Sequence, residues 1–461
     1  MRLGRTRQVH LVAVGGIGMS GIAEILANSG FVVTGSDLAD SSLLARLRHL
    51  GVRCDVGHAA GQVAGADVVV YSSAVPADNP ELVEARRQGI PIVSRGEMLA
   101  ELMRLKQGIA VTGSHGKTTA SSLVAQVLHS GGLDPTAVVG GRLQSFGSNA
   151  RLGAGPYMVA EADESDGSFL RLAPTWAVIT NVDREHLDHY GSFERLQQAF
   201  VDFLCRLPFY GAAIACTDDP VLRDLLPRVT ARVVGYGLGE EATLRGHILE
   251  QHAGGTRFRW ESPTQAGEVD MPVLGRHNVL NALAAVAVGL ELDLDPEPIA
   301  RGLAAFRGVG RRFEVKGEAG GVLVMDDYGH HPTEIAATLA AAKRHFGRPL
   351  RVVFQPHRFS RTELLHEEFG EAFDDAADLI VTEIYAASEA PLPGVDAGLI
   401  VEAVRRRGKT PVRRMADREE IARALLAEAR AGDLVFTLGA GDLNLFAEEL
   451  VGRLAAERAL P

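Results

Sequence analysis

The sequence predicts an α/β protein of about three domains, and three observations lead to this prediction. Short apolar runs of strand length recur along the chain, and helix-length stretches rich in Ala, Leu, Glu and Arg separate many of them. Continuous apolar strands that alternate with helices are typical of parallel sheets covered on both faces. Many of the 51 glycines stand where these runs end. The chain has 461 residues, which corresponds to about three domains at roughly 150 residues each.

The predicted strands divide the chain into three parts. The apolar runs lie at 10–14, 66–72, 108–113, 157–162, 176–181, 321–327, 351–356, 378–383 and 433–439. A helix-like segment gives way to a new strand near residue 107, and the pattern breaks again near residue 310. We therefore predict domains at 1–107, 108–310 and 311–461. Shorter alternating runs at 241–274 predict a small antiparallel appendage on the middle domain.

Composition excludes several classes of protein. Lys plus Arg is 47 and Asp plus Glu is 58, so the formal charge is 47 − 58 = −11. An acidic surface argues against a protein that coats nucleic acid or anionic lipid. No apolar run reaches the length of a membrane-spanning helix. The three cysteines have no metal-type spacing, which excludes a disulfide scaffold and a cysteine zinc site and predicts a cytoplasmic protein.

A glycine-rich turn follows the first predicted strand. Gly16, Gly18 and Gly21 have the spacing GxGxxG in front of an amphipathic helix, and Asp37 ends the next strand. Such a turn brings the N–H groups of a helix N-terminus close to a phosphate. On this pattern the ligand is NAD or FAD, or another phosphate-bearing molecule, and a purely structural turn is the remaining alternative.

A second glycine turn, VTGSHGKTT at 111–119, also lies between a strand and a helix. It is predicted to act as a phosphate loop, although Val111 replaces the first glycine of the GxxxxGK[ST] pattern. Its backbone N–H groups would hold phosphate oxygens, Lys117 would reach the β- and γ-phosphates, and the Thr118 hydroxyl would bind Mg²⁺. The alternative is again a structural turn.

Acidic runs follow the next two strands. The run EADESD begins at Glu161, and the run NVDREHLD at 181–188 contains His186. Because ligands bind at the carboxyl ends of the strands in open α/β sheets, we expect both runs beside the phosphate loop. Glu161 offers the oxygen ligands that Mg²⁺ prefers, whereas a histidine is a less usual ligand for this ion. For any single carboxylate, helix capping is the alternative.

The C-terminal part has two further polar runs after apolar strands, DDYGHHP at 326–332 and QPHRFSR at 355–361. Arg358 and Arg361, beside His357, are predicted to grip a carboxylate or phosphate. His330 and His331 are predicted to serve in structure and recognition rather than to bind zinc, because the spacing offers no third ligand.

Five runs taken together resemble the Mur ligase family: VTGSHGKTT, EADESDGSF, NVDREHLDHYG, GRHNVLNALAA and MDDYGHHPTEI. They occur in the order and spacing of the family over essentially the whole chain. The resemblance implies an ATP-dependent amide-bond ligase of peptidoglycan precursor synthesis, which uses Mg²⁺ or Mn²⁺. It also implies a Rossmann-like domain for a UDP-sugar, a central P-loop domain for ATP and a C-terminal Rossmann-like domain for an amino acid. On that basis the first glycine turn would hold a UDP diphosphate and not NAD.

The resemblance also implies which residues form each site. ATP would be bound by Gly113, Ser114, His115, Gly116, Lys117, Thr118, Thr119, His277, Asn278, Asn281 and Arg312. The UDP-sugar would be bound by Gly16, Ile17, Gly18, Met19, Ser20, Asp37, Ser72 and Ser73. The metal ligands would be Thr118, Glu161 and His186. Tyr328, His330, Arg358 and Arg361 would form the amino-acid pocket, and the catalytic groups would be Lys117, His330, Arg358 and Arg361.

The runs GGIGMSGIAE, DDYGHHPTE and FQPHRFSRT resemble family members whose substrates are UDP-N-acetylmuramate and L-alanine. A tripeptide in place of alanine remains an alternative, because a related ligase shares the glycine turn and a similar DDxxHHP run. An NAD-dependent oxidoreductase and a non-catalytic nucleotide sensor are remote alternatives. Several relatives carry a carbamylated lysine, which is absent here because no lysine lies between Lys117 and Lys316. No nucleic acid or membrane partner is expected, and both a monomer and a homodimer fit the sequence.

Overall fold

The computed structural model describes residues 3–72, 74–143, 148–252, 254–387 and 389–458. It contains three sheets, of five, ten and six strands. Every apolar run named above overlaps one of the strands, and the predicted α/β class with three domains is confirmed. Contacts join the first two sheets into one compact unit, formed by 1–250, 255–273 and 277–307, and the remaining residues form a second unit. The exact limits at residues 107 and 310 stay a prediction.

The N-terminal sheet is parallel throughout, in the order β3-β2-β1-β4-β5. Its strands are β1 (Gln8–Val12), β2 (Val32–Asp37), β3 (Arg53–Val56), β4 (Val68–Tyr71) and β5 (Ile92–Ser94), and its helices are α1 (Ile17–Asn28), α2 (Ser42–His49), α3 (Pro80–Gln88) and α4 (Arg95–Met103). The strand order reverses between β1 and β4. Ligands of open α/β sheets bind beyond the carboxyl ends of the strands at such a reversal, and the first glycine turn follows β1 at that point.

The central sheet has the order β15-β14-β13-β12-β11-β10-β6-β9-β7-β8. Its strands are β6 (Gln107–Thr112), β7 (Thr136–Leu143), β8 (Ser148–Arg151), β9 (Tyr157–Glu161), β10 (Trp176–Ile179), β11 (Ala212–Cys216), β12 (Val233–Gly237), β13 (Leu244–His252), β14 (Gly255–Glu261) and β15 (Ala266–Met271). Strand β6 pairs in parallel with both β9 and β10. The phosphate loop after β6 and the acidic runs after β9 and β10 therefore emerge at one edge.

The helices of the central sheet follow from the same alternation. They are α5 (Lys117–Ser130), α6 (Leu187–Tyr190), α7 (Phe193–Leu204), α8 (Pro220–Leu225), α9 (Arg276–Glu291) and α10 (Pro296–Ala304). The predicted appendage is present: β14 and β15 pair antiparallel, and β13 pairs in parallel with β12. The appendage is therefore a continuation of the central sheet.

The C-terminal sheet has the order β16-β17-β21-β18-β19-β20. Its strands are β16 (Glu314–Ala319), β17 (Val322–Asp327), β18 (Leu350–Phe354), β19 (Asp378–Val381), β20 (Val412–Arg414) and β21 (Leu434–Leu438), and its helices are α11 (Pro332–Phe346), α12 (Phe359–Ala372), α13 (Gly398–Arg407), α14 (Arg418–Glu428) and α15 (Leu443–Arg458). Only β16 is antiparallel to its neighbour among these described strands. Alternate residues of β18 enter opposite cores: Val352 and Phe354 face one, and Val353 faces the other.

Among the described helices, none combines the length and the apolar character needed to cross a bilayer.

Candidate active site

The first glycine turn has the geometry that the GxGxxG spacing predicts. Gly16 caps α1 in an extended conformation, with φ −67° and ψ 146°. The Asp37 carboxylate accepts a hydrogen bond of 2.8 Å from the N–H of Gly15, which ties the end of β2 to the turn. The Ser20 hydroxyl donates to the carbonyl of Ile17 at 2.9 Å. Met19 and Ser20 are buried, whereas Ile17 is 48% exposed. The start of α1 is thus an ordered helix N-terminus with one accessible apolar side chain.

Arg95 is a residue of this region that the sequence argument missed. It begins α4 directly after β5, and a Cβ at Gly18 would lie 2.7 Å from its guanidinium. The same guanidinium lies 3.4 Å from a carboxylate oxygen of Asp163, in the acidic run after β9. The positively charged side chain of Arg95 therefore lies beside the glycine turn that is predicted to hold the diphosphate. Ser72 is half-buried at the end of β4, and Ser73 lies outside the described residues.

The phosphate loop depends on two glycines with left-handed backbone. Gly113 has φ +120° and Gly116 has φ +80°. A Cβ at Gly113 would overlap the hydroxyl oxygen of Thr180, and one at Gly116 would lie 2.6 Å from the side-chain oxygen of Asn281. Either contact is too short for a real side chain, so only glycine fits both positions. The predicted nucleotide residue Asn281 is therefore packed directly against the loop.

The residues after β10 hold the loop in place. Asn181 accepts hydrogen bonds from the N–H groups of Ser114 and His115, through its backbone and side-chain oxygens, at 3.1 and 2.8 Å. The His115 ring lies 2.8 Å from the carboxylate of Asp183. The sequence predicted the run 181–188 beside the phosphate loop but gave Asn181 and Asp183 no individual role, because no pattern shows which side chains of the run meet the loop.

Lys117 is the first residue of α5 and is directed back into the loop. Its ammonium donates to the carbonyls of Gly113 and Ser114 at 2.7 and 3.0 Å and to Glu164 at 2.7 Å. The side chains of Lys117 and Glu164 are 14% and 0% exposed. Burial by itself would lower the pKa of Lys117, but the carboxylates of Glu164, Asp163 and Glu185 outweigh it and raise that pKa. Burial raises the pKa of Glu164, and the ammonium of Lys117 opposes that rise. Thr118 and Thr119 follow, both buried in the first turn of α5.

A group of metal-ligand type adjoins Lys117. One ligand atom from each of Glu164, Glu185 and His186 lies within 4.8 Å of the others, and His186 Nε2 is 3.7 Å from a carboxylate oxygen of each glutamate. The second carboxylate oxygen of Glu164 is buried and has no hydrogen-bond partner among the described residues. The predicted ligand His186 is therefore in this group. Glu161 is not one of these three residues; its carboxylate accepts a 2.8 Å hydrogen bond from the N–H of Gly140, and its role as a metal ligand stays a prediction.

The predicted nucleotide residues of α9 lie in its first turns. Asn278 and Asn281 are buried, and the amide of Asn281 donates to the side-chain oxygen of Asn278 at 3.4 Å. His277 is half-buried at the start of the same helix. In the C-terminal unit, the Arg312 guanidinium lies 5.0 Å above the Tyr328 ring and 3.7 Å from Glu334.

The predicted amino-acid residues of the C-terminal unit form one cluster of rings and guanidinium groups. The His330 ring lies 5.4 Å from the Tyr328 ring and 5.6 Å from the His357 ring, measured between centroids. Arg361 donates to the carbonyl of His357 at 3.0 Å. Arg358 has a left-handed φ of +74°. The geometry thus brings together all four predicted residues of the pocket around His357.

Two further residues of this cluster were not predicted. Arg311 lies 5.0 Å from the Tyr328 ring centroid, and the Tyr385 ring stacks on His357 at 5.6 Å with an interplanar angle of 11°. Burial, His330 and the neighbouring arginines lower the pKa of His357 to about 3. His357 is therefore neutral near pH 7, and the positive charge of the cluster resides on its arginines.

The whole chain matches one family of known proteins. Residues 8–120 match the description "Mur ligase family, catalytic domain", residues 111–289 "Mur ligase middle domain" and residues 311–441 "Mur ligase, glutamate ligase domain". A UDP-N-acetylmuramate–L-alanine ligase of Sorangium cellulosum is 54% identical over 460 residues, which is 98% of each chain.

Solved structures agree with this assignment. The crystal structure of a UDP-N-acetylmuramate–alanine ligase from Thermotoga maritima has a TM-score of 0.82 at 30% identity, covering 98% of this chain and 99% of that one. A murein peptide ligase from Psychrobacter arcticus shares the fold, with a TM-score of 0.74 at 23% identity over 97% of this chain and 99% of that one. This chain belongs to the Mur ligase family.

Proposed function

We propose that this protein joins L-alanine to the lactoyl carboxylate of UDP-N-acetylmuramate in an ATP-dependent ligation. The observation that carries the proposal is the position of Lys117, which lies inside a glycine loop and within 2.7 Å of an acidic group of metal-ligand type. Its full-length relative of 54% identity bears the name of that ligase. The proposal places the protein in peptidoglycan precursor synthesis in the cytoplasm, with domains at 1–107, 108–310 and 311–461.

The chemistry needs activation of a carboxylate, because a free carboxylate is a poor electrophile. A carboxylate oxygen of the muramate attacks the γ-phosphorus of ATP, ADP leaves, and an acyl phosphate forms. The amine of alanine then attacks the acyl carbon, loses a proton, and phosphate leaves. These steps require positioning and charge neutralisation rather than a protein nucleophile. Lys117 and the N–H groups at the start of α5 supply positive charge where the phosphoryl group is transferred.

Glu164, Glu185 and His186 fit a divalent cation. They offer carboxylate oxygens and an imidazole nitrogen close together, and one oxygen of Glu164 is buried without a hydrogen bond among the described residues. Bound there, Mg²⁺ or Mn²⁺ would neutralise charge on the phosphates. Thr118 and Glu161 remain proposed ligands on the basis of family resemblance. The same resemblance supports Gly16, Ile17, Gly18, Met19, Ser20 and Asp37 as UDP-sugar residues.

His330 is proposed to accept the proton of the alanine amine. Its Nδ1 lies 3.0 Å from the carbonyl oxygen of Tyr328, so Nδ1 carries the donated proton and Nε2 is the basic nitrogen of the neutral ring. Arg358 and Arg361 would hold the alanine carboxylate, since a guanidinium binds a carboxylate through paired hydrogen bonds. Tyr328 would form one wall of this pocket.

ADP formation with each substrate omitted in turn tests the proposal. We expect turnover only with UDP-N-acetylmuramate, L-alanine, ATP and Mg²⁺ together. Lys117→Ala should lower kcat by at least about 10²-fold, because it removes charge at the phosphoryl group. Lys343→Ala, a change at an exposed lysine paired with Asp375, is the control and should leave kcat unchanged. Turnover that required a tripeptide instead of alanine, or a Lys117→Ala variant of normal rate, would contradict the proposal.

A further inference from the structure

A buried carboxylate lies beneath the glycine turn of the N-terminal sheet, in a network that no step above uses. The side chain of Glu81, in the first turn of α3, is 0% exposed. It receives hydrogen bonds from His10 on β1 at 2.7 Å and from Ser36 on β2 at 2.8 Å. Its other oxygen lies 2.8 Å from Nδ1 of His58, in the loop after β3. Two strands, one loop and one helix thus converge on a single carboxylate.

The hydrogen bonds determine where the protons are. Burial by itself would raise the pKa of Glu81, but the hydrogen bonds from His10, Ser36 and His58 outweigh it and lower the pKa, so the carboxylate is ionised and only accepts. His10 must then donate through Nε2, which leaves its Nδ1 to accept from the hydroxyl of Thr34 at 2.7 Å. His58 likewise donates through Nδ1. Its Nε2 is then the accepting nitrogen of the neutral ring and makes no hydrogen bond within the described part of the chain.

The same network is tied to the turn that is proposed to hold the UDP-sugar. Ser36 directly precedes Asp37, whose carboxylate holds the N–H of Gly15 at 2.8 Å. The N–H of Gly57, the neighbour of His58, donates to the carbonyl of Asp37 at 2.7 Å. The His58 side chain is 12% exposed, whereas Glu81 and His10 are fully enclosed. His58 is therefore the member of the network that a ligand at this edge of the sheet can reach.

A buried carboxylate without a Lys or Arg partner is costly, and a well-packed apolar residue would often stabilise a fold more. Orienting a ligand-binding ring is a use that offsets this cost: carboxylates that accept a hydrogen bond from one ring nitrogen of a metal-binding histidine fix its tautomer and orientation in the same way. We propose that Glu81 is a positioning residue of the UDP-sugar site. It holds His58 as the Nδ1–H tautomer, so that Nε2 accepts a hydrogen bond from a hydroxyl or N–H group of the nucleotide, and it fixes the end of β2 against the glycine turn. This inference rests on the proposed function.

Equilibrium binding of UDP-N-acetylmuramate to the full chain without ATP tests the inference. Glu81→Gln and His58→Asn should each weaken this binding about tenfold, or about 1.4 kcal/mol. The KM for UDP-N-acetylmuramate should rise equally, while the KM for ATP stays unchanged, because the network does not touch the phosphate loop. Nitrogen NMR should show His58 protonated at Nδ1 in the wild type and mixed tautomers in Glu81→Gln. Glu84→Gln is the matched control on α3, since Glu84 pairs with Arg87 at the surface.

The outcomes separate the inference from the function on which it rests. If Glu81→Gln does not fold, the binding measurement on His58→Asn still tests the inference. This substitution keeps an N–H donor towards Glu81 and removes only the accepting nitrogen Nε2. Unchanged affinity for the sugar nucleotide in His58→Asn, or an equal loss of ATP and sugar-nucleotide affinity in Glu81→Gln, would overturn the positioning role. A wild-type protein that does not bind UDP-N-acetylmuramate would overturn the proposed function, and the inference with it.

Discussion

The contact between Lys117 and Glu164 shows which carboxylate of the run EADESD lies against the phosphate loop. The family motif implied both Glu161 and His186 as metal ligands, and the carboxylate that meets Lys117 and His186 is that of Glu164, three residues beyond Glu161. Past the end of a strand the chain has no fixed period, so no pattern shows which of several acids turns towards a loop from a different strand. His186 lies in the group with Glu164 and Glu185, and Glu161 stays a predicted ligand.

Glu164→Gln should raise the Mg²⁺ concentration needed for half-maximal activity. The substitution removes one charge from the proposed metal site and leaves the side-chain volume nearly unchanged. Activity measured across a magnesium titration at saturating substrates checks this. Glu194→Gln, at an exposed position in the first turn of α7, is the control and should have a wild-type titration. An unchanged magnesium requirement in Glu164→Gln, together with a raised one in Glu161→Gln, would contradict this prediction and would indicate that Glu161 binds the metal.

At the scale of elements, the strand–turn–helix units were the most predictable part of the molecule. Residues 111–119 could be assigned to a strand, a turn and a helix because the glycines and the apolar run are local signals. The contact of α9 with the turn was not visible, because Asn281 and Gly116 are far apart in the chain. Their apposition follows from packing of α9 in the central domain, and the family motif was the only signal that grouped them.

Gly116→Ala should abolish ATP binding while the protein still folds. A methyl group there would lie 2.6 Å from the side-chain oxygen of Asn281, so the turn must change shape. Gly132→Ala is the matched control, because Gly132 also has a positive φ, +77°, but nothing lies within 4 Å of its Cβ position. The control should lose only about 1 kcal/mol of stability, with normal affinity in a nucleotide-binding titration. Equal ATP affinity in the two variants would show that close packing at Gly116 is not needed.

At the scale of the whole molecule, α/β class and domain number could be predicted, but the grouping of domains could not. The Ser148 hydroxyl on β8 donates to Glu24 on α1 at 2.8 Å, across 124 residues of sequence. Contacts of this kind join the N-terminal and central sheets into one compact unit. They join elements that are far apart in the sequence, so neither composition nor periodicity identifies them.

Acid should destabilise the folded chain partly through His357. Its pKa falls from 6.5 to about 3 in the fold, so between these values the unfolded chain binds a proton that the folded chain does not. Stability from this group is therefore present above pH 6.5 and is lost as the pH falls towards 3. Calorimetric unfolding temperatures should fall less between pH 7 and pH 5 for His357→Gln than for the wild type. His366→Gln on α12 is the control, and a wild-type slope for His357→Gln would contradict the argument.

The pairing of Lys117 with Glu164 inside the phosphate loop has a consequence for selectivity. Its ammonium already has one carboxylate and two carbonyl partners, so the pocket carries little unbalanced positive charge. Orthophosphate or sulfate could bind Lys117 only by breaking its ion pair with Glu164, which would leave the buried Glu164 carboxylate without a counter-ion. A nucleotide bound with its own divalent cation avoids this cost, because its phosphates pair with Lys117 while the cation pairs with Glu164. We therefore expect the pocket to discriminate against bare anions, and the orthophosphate released by turnover to inhibit the enzyme poorly.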